Sequence, residues 1–242
     1  MSAPLLTQSG RWRRIVQYDL RNIVRDPMLL IVMVMSALPA LGLAIWRSDI
    51  DAAALGAFDA AGFTRYLIPT FLVLPALLIG WVVGFLTLED RDEGALMAVA
   101  ITPLGARAYL GYRAALAAGL TMGLTIYGIL LLLPGISFPL ATLISVLVAI
   151  EAVLSAAILP AMARNKVEGL ALTKLTNILA MAPLAALLPF PWRYAFGIVP
   201  HYWLGELLLV PPAEAMPLWI TAALALAVHA IVVAGLLRRI RR

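Results

Sequence analysis

Apolar residues run in long blocks along this chain, and polar residues gather in short clusters between them. A helical membrane span needs about 20 mostly apolar residues. Six blocks reach that length, near 28–46, 67–88, 108–132, 139–163, 169–188 and 217–236. Only the Pro134-Gly135 turn region separates the third from the fourth, which predicts a tight hairpin. Ahead of the first block, residues 11–26 follow a helical period instead. Trp12, Ile15, Val16, Leu20 and Ile23 share one face, and Arg11, Arg14, Arg21 and Arg25 share the other. This pattern predicts an amphipathic helix in the membrane interface, with its arginines toward headgroups. Asp26-Pro27 then breaks it and turns the chain into the first span. The first apolar run begins at Met28, after five arginines, and nothing reads as a cleaved signal peptide. Residues 189–216 hold five prolines among Trp192, Tyr194, Phe196, Tyr202 and Trp203. Aromatic density of this kind favours the headgroup level, so short helices or a sheltered re-entrant turn are expected there.

Composition removes the soluble alternatives. Apolar residues make up 63%, charged residues 13%, and mean hydropathy is +0.98. A soluble domain is nearer half apolar and a quarter charged. The fold class is therefore an all-α integral membrane protein, a single transmembrane domain spanning 1–242 with six spans. With no cysteine, thiol catalysis and disulfides are excluded, and two histidines argue against a multi-histidine metal site.

The formal charge is +5 and the pI about 9.9, which in a soluble protein would suggest nucleic acid. Placement changes that picture. Counting along the six spans, fifteen basic residues fall on one side and Arg47, Arg65 and Arg193 on the other. Such asymmetry places both termini in the cytoplasm, with the lipid bilayer rather than nucleic acid as the partner of the basic surface.

Candidate chemistry is sparse. After the second block, Glu89-Asp90-Arg91-Asp92-Glu93 sets four acids on the side otherwise rich in arginine, followed by Gly94, a short half-apolar segment and Thr102-Pro103. Positive-inside bias does not account for these acids. They suit either a docking element for a cytoplasmic protein or acids at a helix amino end. Glu151 sits in the middle of the fourth span and His229 about two thirds along the sixth. A charge at the bilayer centre costs at least ~2.5–3.5 kcal/mol on insertion scales, which marks a paired, protonated or functional group. Thr173, Thr176 and Asn177 near the cytoplasmic end of the fifth span can bond a neighbouring helix or line a path. Ser36, with Ala37, Ala40, Gly42 and Ala44, permits close helix contact in the first span, including a dimer seam. No Gly-x-x-x-x-Gly-Lys-Ser/Thr, Gly-x-Ser-x-Gly or His-Glu-x-x-His occurs, so neither nucleotide binding of that kind nor these catalytic centres are expected.

The amphipathic segment 11–26 (an "elbow" helix), six spans with both ends inside, and the segment 89–104 together resemble type-2 ABC transporter permeases. In that family an acid-rich run, a glycine, a short apolar helix and Thr/Ser-Pro follow the second span. Glu89 to Glu93, Gly94 and Thr102-Pro103-Leu104 match, while Ala95 and Ala98 replace the usual hydroxyl and further acid. Lys166-Val167-Glu168-Gly169-Leu170-Ala171 is similar to the second cytoplasmic loop, and 189–216 looks like the segment before the last span. The flavour is that of compact bacterial drug-export permeases, fluoroquinolone exporters among them.

The resemblance implies a permease subunit of an exporter in the bacterial cytoplasmic membrane. It would have no ATPase site of its own and no cofactor in this chain. ATP and Mg would sit on two copies of a separate ATPase subunit, docked at Glu89, Asp90, Arg91, Asp92, Glu93, Gly94, Thr102 and Pro103. A second permease chain, identical or paralogous, would complete the path. Trp12, Arg14, Ile15, Leu20 and Arg21 would form the elbow. The alternative is a secondary transporter coupled to protons through Glu151; a non-transporting membrane scaffold is a third class.

Overall fold

The computed structural model describes residues 27–101 and 105–240. The elbow segment 11–26, Thr102 and Pro103 lie outside the described residues. Among the described residues the chain is helical, and six helices are long and apolar enough to cross a membrane. In chain order the helices begin with α1 (Pro27–Phe58), α2 (Thr64–Asp92), the short α3 (Ala95–Ala100), α4 (Gly105–Leu132), α5 (Phe138–Met162) and α6 (Lys166–Thr176). Two 3₁₀ helices (Asn177–Leu187 and Trp192–Ile198), α7 (Tyr202–Leu208) and α8 (Leu218–Ile240) complete the chain. The fifth membrane crossing is composite, α6 followed by 3₁₀ helix over Lys166–Leu187. We call the end holding α3 and Arg164–Lys166 the basic end.

α2 and α5 are the centre of the bundle. About two thirds of each apolar window, 67% and 61%, is buried, against 17–33% in the other four spans. Lipid tails give apolar helices no drive to associate, so close packing of small residues must hold such a pair. Gly80 and Gly84 supply it, one turn apart on α2. A Cβ at Gly80 would overlap the Ser155 side chain and come within 2.8 Å of the Ala152 carbonyl. One at Gly84 would meet Leu159 Cδ1 at 2.9 Å. The same logic serves Ser36 and Ala40 on α1. Both are buried within this chain's own bundle, Ala40 toward Gly128 of α4. Ile31, Ile45, Trp219 and Ile231 remain exposed on α1 and α8, as a lipid-facing surface requires.

Two boundaries differ from the hydropathy reading. α1 continues past Trp46, where the backbone leaves helical geometry (φ −100°, ψ 16°), to Phe58. The Asp51 carboxylate then accepts from the backbone N–H of Thr64 (2.8 Å) and from its hydroxyl (3.0 Å), which fixes the turn into α2. α2 runs on through Asp92, so Glu89 to Asp92 form its last turn rather than a loop. Gly94, at φ 76°, makes the reversal into α3 that a side chain would resist. The segment after Pro191 forms short helices and folds back against the bundle. Tyr202, Trp203 and Leu204 are buried, and a Cβ at Gly205 would overlap the Pro183 carbonyl.

Candidate functional site

α5 and α8 pack together, and their contact holds the two ionisable groups singled out within the spans. Glu151 Oε1 lies 3.5 Å from His229 Nε2, and both side chains are fully buried. His229 Nδ1 is 2.7 Å from the Ala225 carbonyl one turn back. A carbonyl only accepts, so Nδ1 carries the proton, and in the neutral ring Nε2 presents a lone pair. Two acceptors facing each other at 3.5 Å in a dry interior repel. A proton between them removes the conflict, as acid beside imidazole or carboxylate beside imidazolium.

The chain's other histidine joins them. His201 immediately precedes the amino end of α7, without a side-chain capping bond, and is 2% exposed. Burial pushes its imidazole below the ordinary value, the Glu151 carboxylate opposes that shift, and His229 adds to it. Neither ring nitrogen of His201 and neither oxygen of Glu151 has a hydrogen-bond partner among the described residues. The segment 192–208 therefore folds inward far enough to bring an imidazole within electrostatic reach of mid-span Glu151. Sequence reasoning missed His201, because an aromatic and proline-rich stretch has no period to follow. The available signal was arithmetic: it is one of only two histidines. The Glu151–His229 contact links α5 to α8.

The acidic run at the basic end divides into two. Its first part is spent within the chain. Arg91 donates from Nη1 to the Pro160 carbonyl (3.3 Å), and from Nη2 to the carbonyls of Ala163 (2.9 Å) and Arg164 (2.8 Å). These are carbonyls at and just past the end of α5, where a cation also meets the helix dipole favourably. Lys166 Nζ is 2.6 Å from Glu89, and Asp90 is 2.7 Å from Arg113 Nη2 and accepts from the Tyr109 hydroxyl at 2.8 Å. The second part, Asp92 and Glu93, is exposed beside α3, with the Asp92 carboxylate 3.8 Å from Arg91 Nε. On that helix and at its carboxyl end, Met97 is 76% and Ile101 89% exposed.

The remaining candidates stay apart from both clusters. Ser36 donates to the Val32 carbonyl, Thr173 to Leu170, and Thr176 to Leu172 and Thr173, so these hydroxyls are used on their own helices. Asn177 is exposed at the junction of α6 and the 3₁₀ helix.

At the end opposite α3 lies a network that sequence reading did not foresee. Arg193, 3% exposed, donates to the Glu214 carboxylate at 3.0 Å and to the Glu214 carbonyl at 2.8 Å. Its Nε is 3.7 Å from Glu206, which accepts from the Tyr202 hydroxyl at 2.6 Å. Burial first, then that hydrogen bond to a carboxylate, push the Tyr202 phenol well above its usual range.

Comparison with known proteins bears on what this architecture belongs to. The family described as "Fluoroquinolones export permease protein Rv2686c-like" matches residues 19–237. Two curated relatives are Fluoroquinolones export permease protein MT2760 of Mycobacterium tuberculosis (strain CDC 1551 / Oshkosh) and Fluoroquinolones export permease protein Rv2686c of strain ATCC 25618 / H37Rv. Each is 29% identical over 200 residues, covering 78% of this chain and 77% of the relative. No solved structure matches. Six spanning helices and a match over nearly the whole length lead to one conclusion: this multi-pass membrane chain belongs to the Rv2686c-like fluoroquinolone export permease family.

Proposed function

We propose that the chain is the permease subunit of an ATP-driven exporter in a bacterial cytoplasmic membrane, with both termini cytoplasmic. A separate ATPase, in two copies, docks on the basic end, and a second permease chain completes the path. ATP and Mg belong to that ATPase. The relatives' names point to amphipathic drugs such as fluoroquinolones as the exported class. One observation carries the reading. α3 offers exposed Met97 and Ile101 beside exposed Asp92 and Glu93, while Glu89, Asp90 and Arg91 tie the same corner to α4, α5 and α6. An apolar knob ringed by acids suits a protein partner, and the ties behind it suit the transfer of a push into the central helices. ATP acts here only insofar as the docked ATPase favours one conformer of the permease.

The test is charge reversal at Asp92 and Glu93. Reversed charge in a docking face costs several kcal/mol. The Asp92→Lys, Glu93→Lys double variant is expected to co-purify about a hundredfold less ATPase or to lose substrate-stimulated hydrolysis. Full co-purification with full stimulation would reject this docking site.

A second reading has its own observation. Convergence of both histidines on Glu151 is what a proton-coupled transporter would need, and substrate flux driven by a pH gradient without ATP would favour it.

A further inference from the structure

A cavity of about 670 Å³ opens at the end opposite α3, within the 300–1,000 Å³ typical of sites for small ligands. Leu187, Phe190 and Pro211 supply apolar wall, and Arg65, Arg193 and Glu214 supply its charges. The charged groups are not equivalent. Arg193 is buried and committed to Glu214 and Glu206. Arg65 is exposed; its guanidinium stacks 4.5 Å above the Tyr66 ring and donates to the Tyr66 hydroxyl, with no carboxylate partner among the described residues. The Glu214 side chain is 61% exposed and gives Oε2 to Arg193, leaving Oε1 to solvent. An apolar wall thus runs beside one unneutralised cation and one carboxylate with a free oxygen.

We propose that this cavity binds amphipathic zwitterions: an apolar body whose carboxylate pairs with Arg65 and whose ammonium meets Glu214. Arg193 is the positioning residue that holds Glu214 in place. Under the export reading, on which the direction of transport rests, the cavity lies on the outer side and is the last station before release. A zwitterionic phospholipid headgroup presents the same pair of charges, so the source of the ligand has to be separated by experiment.

The full chain is placed in lipid nanodiscs without ATPase or ATP, so failure of the docking reading leaves the measurement intact. The probe is norfloxacin, a fluorescent zwitterion, beside its methyl ester, which lacks the carboxylate. A charge-assisted hydrogen bond corresponds to about tenfold or more in affinity. Arg65→Ala is expected to weaken norfloxacin binding by about tenfold and to leave ester binding unchanged. Glu214→Gln is expected to weaken binding of both, since both keep the amine. Equal norfloxacin affinity in wild type and Arg65→Ala overturns the proposal, as does parallel weakening of acid and ester by Arg65→Ala. Loss of norfloxacin binding to the wild type in phosphatidylcholine discs, with binding kept in phosphatidylglycerol discs, assigns the cavity to lipid headgroups and overturns it also.

Discussion

At the basic end, Lys166 meets Glu89, Arg113 meets Asp90, and Arg91 forks onto the carbonyls at the end of α5. In the middle of the same bundle, Glu151 faces His229, with His201 within electrostatic range, and among the described residues the three make one hydrogen bond, His229 to Ala225. The first group is partly exposed, so its charges keep much of their hydration and ask little of their partners. The second is dry, where an unpaired polar atom costs about 1–3 kcal/mol and an unpaired charge more. Ties of the first kind hold geometry. A cluster of the second kind lowers stability and points to function, because in native structures a buried unsatisfied group calls for an explanation.

The strongest way to break that contrast is to make the dry cluster merely structural. Glu151→Leu leaves His229 Nε2 facing hydrocarbon and is expected to cost about 3 kcal/mol, read as lost folded yield. The Glu151→Leu, His229→Leu double variant removes both partners and is expected to recover most of that yield. Glu151→Gln can donate its amide N–H to Nε2, so ATP-driven flux is expected to stay near normal in vesicles. Loss of gradient-driven flux in a folded Gln variant, with ATP without effect on wild type, would instead establish proton coupling.

Arg91 probes the other side of the contrast. Arg91→Ala removes three hydrogen bonds to carbonyls at the end of α5 and is expected to lower stability by about 1–2 kcal/mol. Arg91→Lys is expected to recover only part of this, because an ammonium cannot reproduce the fork. Thermal unfolding of the purified variants in detergent measures both. No change on Arg91→Ala would mean that the corner is held by packing alone.

The two regions also differ in how far the amino-acid order disclosed them. Six spans, the Pro134-Gly135 hairpin and the mid-span position of Glu151 are legible, because hydropathy and chain order are local properties. Partners are not. Nothing in the period of α8 says that His229 faces α5, and nothing in 189–216 says that His201 comes within electrostatic range of Glu151. Gly80 and Gly84 read as ordinary span residues until Ala152, Ser155 and Leu159 are set against them. The length of α2 escaped for a different reason. Glu89 to Asp92 are polar enough to end an apolar window, yet the helix continues, because Lys166, Arg113 and three carbonyls receive their side chains.

A smaller effect, in pH, sharpens the comparison. Burial depresses the His201 value below 6.5 in the folded chain, so below that pH the unfolded chain binds the extra proton first. Stability is therefore full above pH 6.5 and is lost as the pH falls from there toward the folded value. One proton corresponds to at most about 1.4 kcal/mol per pH unit. Unfolding measured from pH 7.5 to 5.5 is expected to show this decline, flattened by His201→Asn. An unchanged slope would place the titrating group elsewhere.

The smallest effect belongs to Lys166. Its contact with Glu89 is short, 2.6 Å, yet both side chains are well exposed, at 47% and 39%. Such a pair keeps its hydration, gives up side-chain freedom to hold one geometry, and is screened by salt over a few ångströms. Asn165 already caps α6 by accepting from the backbone N–H groups of Val167 and Glu168, so the helix start does not depend on the ammonium. Lys166→Ala is therefore expected to shift the melting temperature by no more than about two degrees at low salt, and by nothing measurable in 1 M salt. A loss as large as that of Arg91→Ala, persisting in high salt, would show that Glu89 is held as part of one rigid corner with Arg91. The ties at the basic end would then act as a single cooperative unit rather than as separable contacts.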